Sequence, residues 1–173
     1  MRLFIAIDFD DNRHFKQIQD QIPTDAAKLN ITSSYHLTLK FLGEVEDNNA
    51  NIIKERLGEI KIEPFSVLTG KMGFFPSESH INVIWVGFKD NNKIINLQQQ
   101  VENSLRDLFK KENRFHPHIT LARVKFVKDK ENFFKKLKNI KFEEKEFFVN
   151  SFKLIKSTLT EKGSVYEDLA VFS

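Results

Sequence analysis

Cysteine is absent from this 173-residue chain. Disulfides, thiolate zinc sites, iron–sulfur clusters and a cysteine nucleophile are thereby excluded, and a reducing cytoplasm is the expected location. Glycine (6) and proline (4) are sparse. No Gly-, Ser- or Pro-rich linker divides the chain, and neither a nucleotide-binding glycine loop nor an adenylation-lysine motif is visible, which argues against ATP-driven ligation. Long apolar runs are missing too. Leu3–Ile7 offers five apolar residues before Asp8, too few for a signal-peptide core. The longest apolar-looking run, Ile81–Phe88, contains Asn82 and cannot span a bilayer. The five histidines show no His-Glu-x-x-His spacing and no carboxylate cluster beside them, so no metal and no other cofactor is expected. No membrane and no obligate protein partner is evident.

What is present is an ordinary globular composition, 40% hydrophobic and 29% charged. The length argues for one domain over residues 1–173, or two small lobes on one core. A net charge of +3 permits a phosphate-bearing partner without demanding one. The surplus is uneven: Lys125, Lys128, Lys130, Lys135, Lys136, Lys138, Lys141 and Lys145 face only Asp129, Glu131, Glu143 and Glu144. That stretch reads either as a solvated helix face or as an RNA-backbone patch.

Periodicity supplies the elements. Arg2–Phe9 reads as a buried strand stopped by Asp10-Asp11-Asn12, one of which caps a helix presenting Phe15, Ile18 and Ile22. Pro23 interrupts that helix, and a second helical piece carries Ala26 and Leu29. Tyr35–Gly43 alternates as a strand, Asn48–Ile60 is helical and Pro64–Phe75 is strand-like up to Pro76. In the second half, strands are expected at Ile81–Phe88 and His118–Arg123, and helices at Lys93–Lys111 and Asp129–Ile140. Phe147–Ile155 and Val165–Phe172 close the chain as strands, the latter after a turn at Lys162-Gly163. Both halves thus run strand, helix, His-x-Thr strand, helix, strand. The histidines lie 82 positions apart (36 to 118) and the opening strands 79 (2 to 81). Matching offsets suggest an internal duplication with two pseudo-symmetric lobes, roughly 1–76 and 77–173.

The signal that carries chemistry is His36-Leu37-Thr38-Leu39 with His118-Ile119-Thr120-Leu121. A strand alternates faces, so each one presents an imidazole and a hydroxyl together and backs them with an apolar face. Imidazole titrates near neutrality, and one histidine can take a proton while its partner gives one. Threonine hydroxyls can donate to phosphoryl oxygens that gain charge in the transition state. A base on the entering oxygen and an acid on the leaving one are what in-line displacement at phosphorus requires.

These residues resemble those of the two-histidine (2H) phosphoesterases, specifically the RNA 2′,3′-cyclic phosphodiesterases once called 2′-5′ RNA ligases. The resemblance rests on Phe4-Ile-Ala-Ile7, His36-Leu-Thr-Leu-Lys-Phe-Leu-Gly43, Phe75-Pro76 and His116-Pro-His-Ile-Thr-Leu-Ala-Arg123. It implies a bilobal, duplicated α+β fold, antiparallel sheets lining a central cleft with helices outside. It also implies metal-independent hydrolysis of cyclic phosphates on RNA ends or nucleotides, leaving a 2′-phosphate, with His36 as proton donor, His118 as acceptor, and Thr38 and Thr120 on the phosphate. Reversible 2′-5′ end joining and a catalytically idle RNA-binding module are the alternatives; the intact histidine pair argues against the second.

Other positions carry two readings each. Arg123 resembles the family's motif arginine, yet strict alternation turns it away from His118 unless the strand bulges or Arg123 acts from the strand end. Lys40 shares the His36 face by alternation and either attracts an anionic substrate or is a solvated lysine. Of the 18 phenylalanines, Phe41, Phe74 and Phe75 are candidates to stack on bases, although alternation turns Phe41 away from His36. His116, before Pro117, either touches substrate or shapes the start of the strand. His14 and His80 read as surface residues.

Overall fold

The computed structural model describes residues 1–9, 11–161 and 163–173. β1 (Arg2–Asp8) sends Leu3, Ile5 and Ile7 into the main core. Its other face carries Phe4 and Ala6, which form a small separate cluster with Ile155. α1 (Arg13–Gln19) buries Phe15 and Ile18 and starts at Asn12, whose side chain makes no capping bond. Asp10, another candidate cap, and Lys162, in the expected final turn, lie outside the described residues. β2 (Ala27–Ile31) and β3 (His36–Glu44) follow, then α2 (Asp47–Gly58), which buries Ala50, Ile53 and Leu57. β4 (Phe65–Ser77) and β5 (His80–Phe88) form a hairpin. α3 (Asn92–Ser104), β6 (His118–Val127) and α4 (Lys130–Lys138) come next. β7 (Glu146–Val149), β8 (Phe152–Thr160) and β9 (Gly163–Phe172) end the chain.

The strands form two antiparallel sheets, β3-β1-β8-β9 and β2-β6-β5-β4-β7. α3 packs against β3, α2 against α3 and β9, and α1 against β6. α4 is capped by Asp129, which accepts from the Asn132 N–H at 3.0 Å, and buries Phe133 and Leu137.

Several elements depart from the sequence reading, each for a tertiary reason. The segment after Pro23 is not helical: Ala27–Ile31 is a strand paired with β6. Two apolar residues at helical spacing weigh little against an open sheet edge. The helix expected to reach Lys111 ends at Ser104, and Glu102 then accepts from the Glu112 N–H at 3.3 Å, drawing the chain back. Phe147–Ile155 is two strands rather than one, β7 in the second sheet and β8 in the first. His14, expected at the surface, is 9% exposed and bonds Thr69 Oγ1 at 3.1 Å.

The lobes are not contiguous halves either. β3-β1-β8-β9 matches β6-β5-β4-β7 position for position, but β4 comes from the first half and β8 and β9 from the second. Each half hands two strands to the other's sheet, β2 and β4 one way and β8 and β9 the other, and position 76/77 falls within β4. Opening either sheet would therefore break hydrogen bonds made by both halves.

Candidate active site

The two His-x-Thr strands belong to different sheets and touch one another. Between them runs a cleft of about 610 Å³ whose wall includes His36, Thr38, His118 and Thr120. The apolar partners Leu37, Leu39, Ile119 and Leu121 are buried in the core on the other face. Alternation thus holds through the first three residues of each motif.

Beyond them it breaks, in the same way twice. Ala6 opposes Thr38 and Ile5 opposes Lys40, so Leu39 is an extra residue. Trp85 opposes Thr120 and Ile84 opposes Ala122, so Leu121 is its counterpart. A bulge turns every later side chain to the opposite face. Arg123 is thereby brought into the cleft, which resolves its two readings in favour of the bulge. Phe41 likewise swings to the cleft side, 68% exposed, with its ring 6.1 Å from that of Phe4.

Lys40 is corrected in the opposite sense. Its side chain is buried, with Nζ 2.9 Å from both Glu102 carboxylate oxygens and 2.8 Å from the Lys110 carbonyl. It is neither a solvated lysine nor a free cation for substrate. The other bulge has its own anchor: Gln19 Nε2 donates to the Leu121 carbonyl at 2.8 Å, and Tyr35 donates to Gln19 Oε1 at 2.7 Å.

The imidazoles sit in unlike surroundings. His118 Nδ1 lies 2.7 Å from the His116 carbonyl. A carbonyl only accepts, so Nδ1 carries the proton and the neutral ring keeps its lone pair on Nε2. Burial pushes the His118 pKa down; the carbonyl bond opposes this, and the neighbouring His116 and Arg123 side chains reinforce it. His36 Nδ1 is 3.3 Å from Ser34 Oγ, a group able to donate or accept. Burial lowers its pKa too, but the nearby Asp8 carboxylate pushes it back up. Asp8 stands opposite His36 on β1 and accepts from Lys153 Nζ at 2.8 Å.

His116 lines the cleft and orients His118 through its backbone. Phe75 meets the rings of His118 at 5.0 Å and His116 at 5.7 Å edge-on, packing behind them. Phe74 is not in this cleft; it packs on Phe134 of α4 at 5.8 Å. Missed by sequence reasoning were Arg2, Phe4, Arg114 and Tyr166, which line the cleft, and Asp8. Period-two reading of β1 would have put Arg2, Phe4, Ala6 and Asp8 on one face. Nothing local marks Tyr166, whose ring lies 5.2 Å from that of His36. Among the described residues, no three His, Asp or Glu side chains are grouped to hold a metal ion. No helix among the described residues is long and apolar enough to cross a membrane.

A family model described as LigT like Phosphoesterase matches the chain twice, over residues 7–85 and 86–166. The chain belongs to the LigT-like phosphoesterase family. One match falls on each His-x-Thr repeat, in keeping with a duplication. The chain is 37% identical over 174 residues to the RNA 2′,3′-cyclic phosphodiesterase of Methanocaldococcus jannaschii, covering 96% of this chain and 97% of that protein. Its identity to the Archaeoglobus fulgidus protein of the same name is 35%, over 99% of each. Among solved LigT-like folds, the protein TT0787 of Thermus thermophilus superposes with a TM-score of 0.78 at 25% identity, covering 100% of this chain and 97% of that one. Escherichia coli LigT, crystallised with 3′-AMP, gives 0.72 at 25% identity over 98% and 95%.

Proposed function

We propose that this LigT-like phosphoesterase hydrolyses 2′,3′-cyclic phosphates at RNA ends or on nucleotides, leaving a 2′-phosphomonoester. The carrying observation is the pair of imidazoles in one cleft with unlike charged neighbours, the Asp8 carboxylate near His36 and the Arg123 guanidinium near His118. The RNA 2′,3′-cyclic phosphodiesterases among its relatives support the choice of substrate. With Nδ1 committed to a carbonyl, His118 takes a proton from water at Nε2. The water oxygen bonds to phosphorus as the bond to the ribose 3′-oxygen breaks. His36 in its protonated form, which the Asp8 carboxylate favours against burial, gives its proton to that departing oxygen. Thr38 and Thr120 donate to the non-bridging oxygens, and Arg123 adds a charge-assisted bond. Phe41 and Tyr166, backed by the buried Phe4, offer a face to the nucleoside. No step in this scheme calls on a metal.

Phosphorus NMR of the product from a 2′,3′-cyclic nucleotide tests the reading. A 2′-phosphate is expected. A 3′-phosphate would exchange the roles of the two histidines, and no turnover would leave only an RNA-binding module.

A further inference from the structure

The catalytic cleft is not the largest hollow of this chain. A second one, of about 900 Å³, adjoins it, and His116 belongs to both walls. It opens where β4 outruns its partner: β7 pairs only with Phe65–Leu68. From Gly70 onward β4 faces the segment 137–144 across this space. The wall carries Lys71, Lys89, Lys138 and Lys141 against two carboxylates, Glu78 and Glu144. Lys89 pairs with Glu144, and Lys138 stands 3.7 Å from Glu78. Lys71 and Lys141 have no carboxylate within ion-pair distance among the described residues. Phe74, Trp85 and Phe142 supply aromatic surface between these cations. A different hollow touches the cleft at Glu112 and Phe115, but it sets Glu102 and Glu112 against Lys111 alone. Of these two hollows, the one on the His116 side offers a polyanion leaving the cleft a surplus of cations.

We propose that the second hollow is a subsite for single-stranded RNA, in which nucleotides 5′ of the cyclic end pass His116 and set their phosphates on Lys71 and Lys141. The inference rests on the proposed action at RNA ends and extends it from a terminal group to a strand. Lysines for the backbone and aromatic faces for any base make a sequence-tolerant site. The lysine-rich stretch thereby divides: Lys136 and Lys145 are tied to Asp25 and Asp11, whereas Lys138 and Lys141 face the strand.

The test is the double variant Lys71→Gln/Lys141→Gln, both exposed positions outside the catalytic set. kcat/KM is measured on a 2′,3′-cyclic mononucleotide and on an oligoribonucleotide of about eight residues ending in the same group. Binding of a labelled oligomer with a 2′-phosphate end is followed against salt. The wild type should favour the oligomer about tenfold or more, and the variant should lose most of that preference with mononucleotide turnover unchanged. The salt slope should fall by about 1.4, from two contacts at ~0.7 each. Equal wild-type efficiency on both substrates, or an unchanged oligomer efficiency and slope in the variant, would overturn the subsite. If neither substrate is turned over while binding and slope respond as described, the subsite holds and the hydrolytic reading fails.

Discussion

The two half-sites share a backbone and differ in nearly everything around it. Thr38 answers to Thr120, and the bulged Leu39 to Leu121. Register then pairs unlike residues: Asp8 opposite His36 matches Gly87 opposite His118, and Ala6 matches Trp85. After the bulges, Phe41 stands where the other strand has Arg123. Before the histidines, a Ser34 hydroxyl takes the place of the His116 carbonyl. A duplicated strand delivers two imidazoles to one cleft, but two equivalent imidazoles would share one role. A carboxylate beside one and a guanidinium beside the other separate their affinities for a proton. In the proposed scheme, acid and base are thus made from one motif by its neighbours.

Deleting either imidazole should have the largest effect. His36→Ala and His118→Ala should each lower kcat on a cyclic nucleotide at least about 100-fold. Thr38→Ala and Thr120→Ala should each cost roughly 10- to 1000-fold. Thermal unfolding should change little in all four, because the side chains face the cleft. A histidine variant with near-normal turnover would remove its half-site from the chemistry.

The non-equivalent pair comes next. Arg123→Gln gives up a charge-assisted bond worth about 1.5–3 kcal/mol, and kcat/KM should fall about 10- to 150-fold. Phe41→Leu keeps an apolar face and should raise KM only about two- to fivefold, with kcat retained. Equal losses in kcat from both would mean that the halves are functionally alike.

The pH profile sharpens the comparison further. The proposed scheme needs His118 neutral and His36 protonated, so activity should rise through the pKa of the first and fall through that of the second. Asp8 raises the His36 pKa, and Asp8→Asn should move the alkaline limb to lower pH. Arg123 lowers the His118 pKa, and Arg123→Gln should move the acid limb to higher pH. The two substitutions narrow the bell from opposite sides; a bell widened on both sides would reverse the assignment. The smallest effect is none: turnover measured with EDTA should equal turnover without it. Loss of activity restored by a divalent ion would end the two-imidazole scheme.

The histidines and threonines were legible because strand alternation needs only neighbouring residues. Helices with a full apolar stripe, such as α2, were legible for the same reason. Lys40 and Phe41 were misplaced by that very rule, since one extra residue at Leu39 reverses the faces of the residues that follow it. β2 was misread because its strand character comes from its partner β6. Asp8 and Tyr166 gain their meaning from a ring that only folding brings near.

By itself, then, the chain's order of residues determined the paired motif, the repeated succession of elements and the apolar backing of each His-x-Thr strand. All are local, set by a two- or three-residue period. Tertiary structure decided which half of the chain supplies each strand, where the bulges fall and which imidazole is biased towards holding a proton. Those choices depend on partners far away along the chain. Gln19 meets the bulged Leu121 across 102 positions, and Lys40 meets Glu102 across 62. A buried hydrogen bond or ion pair formed over such separations leaves no periodic trace, because its partners need only meet in the folded core.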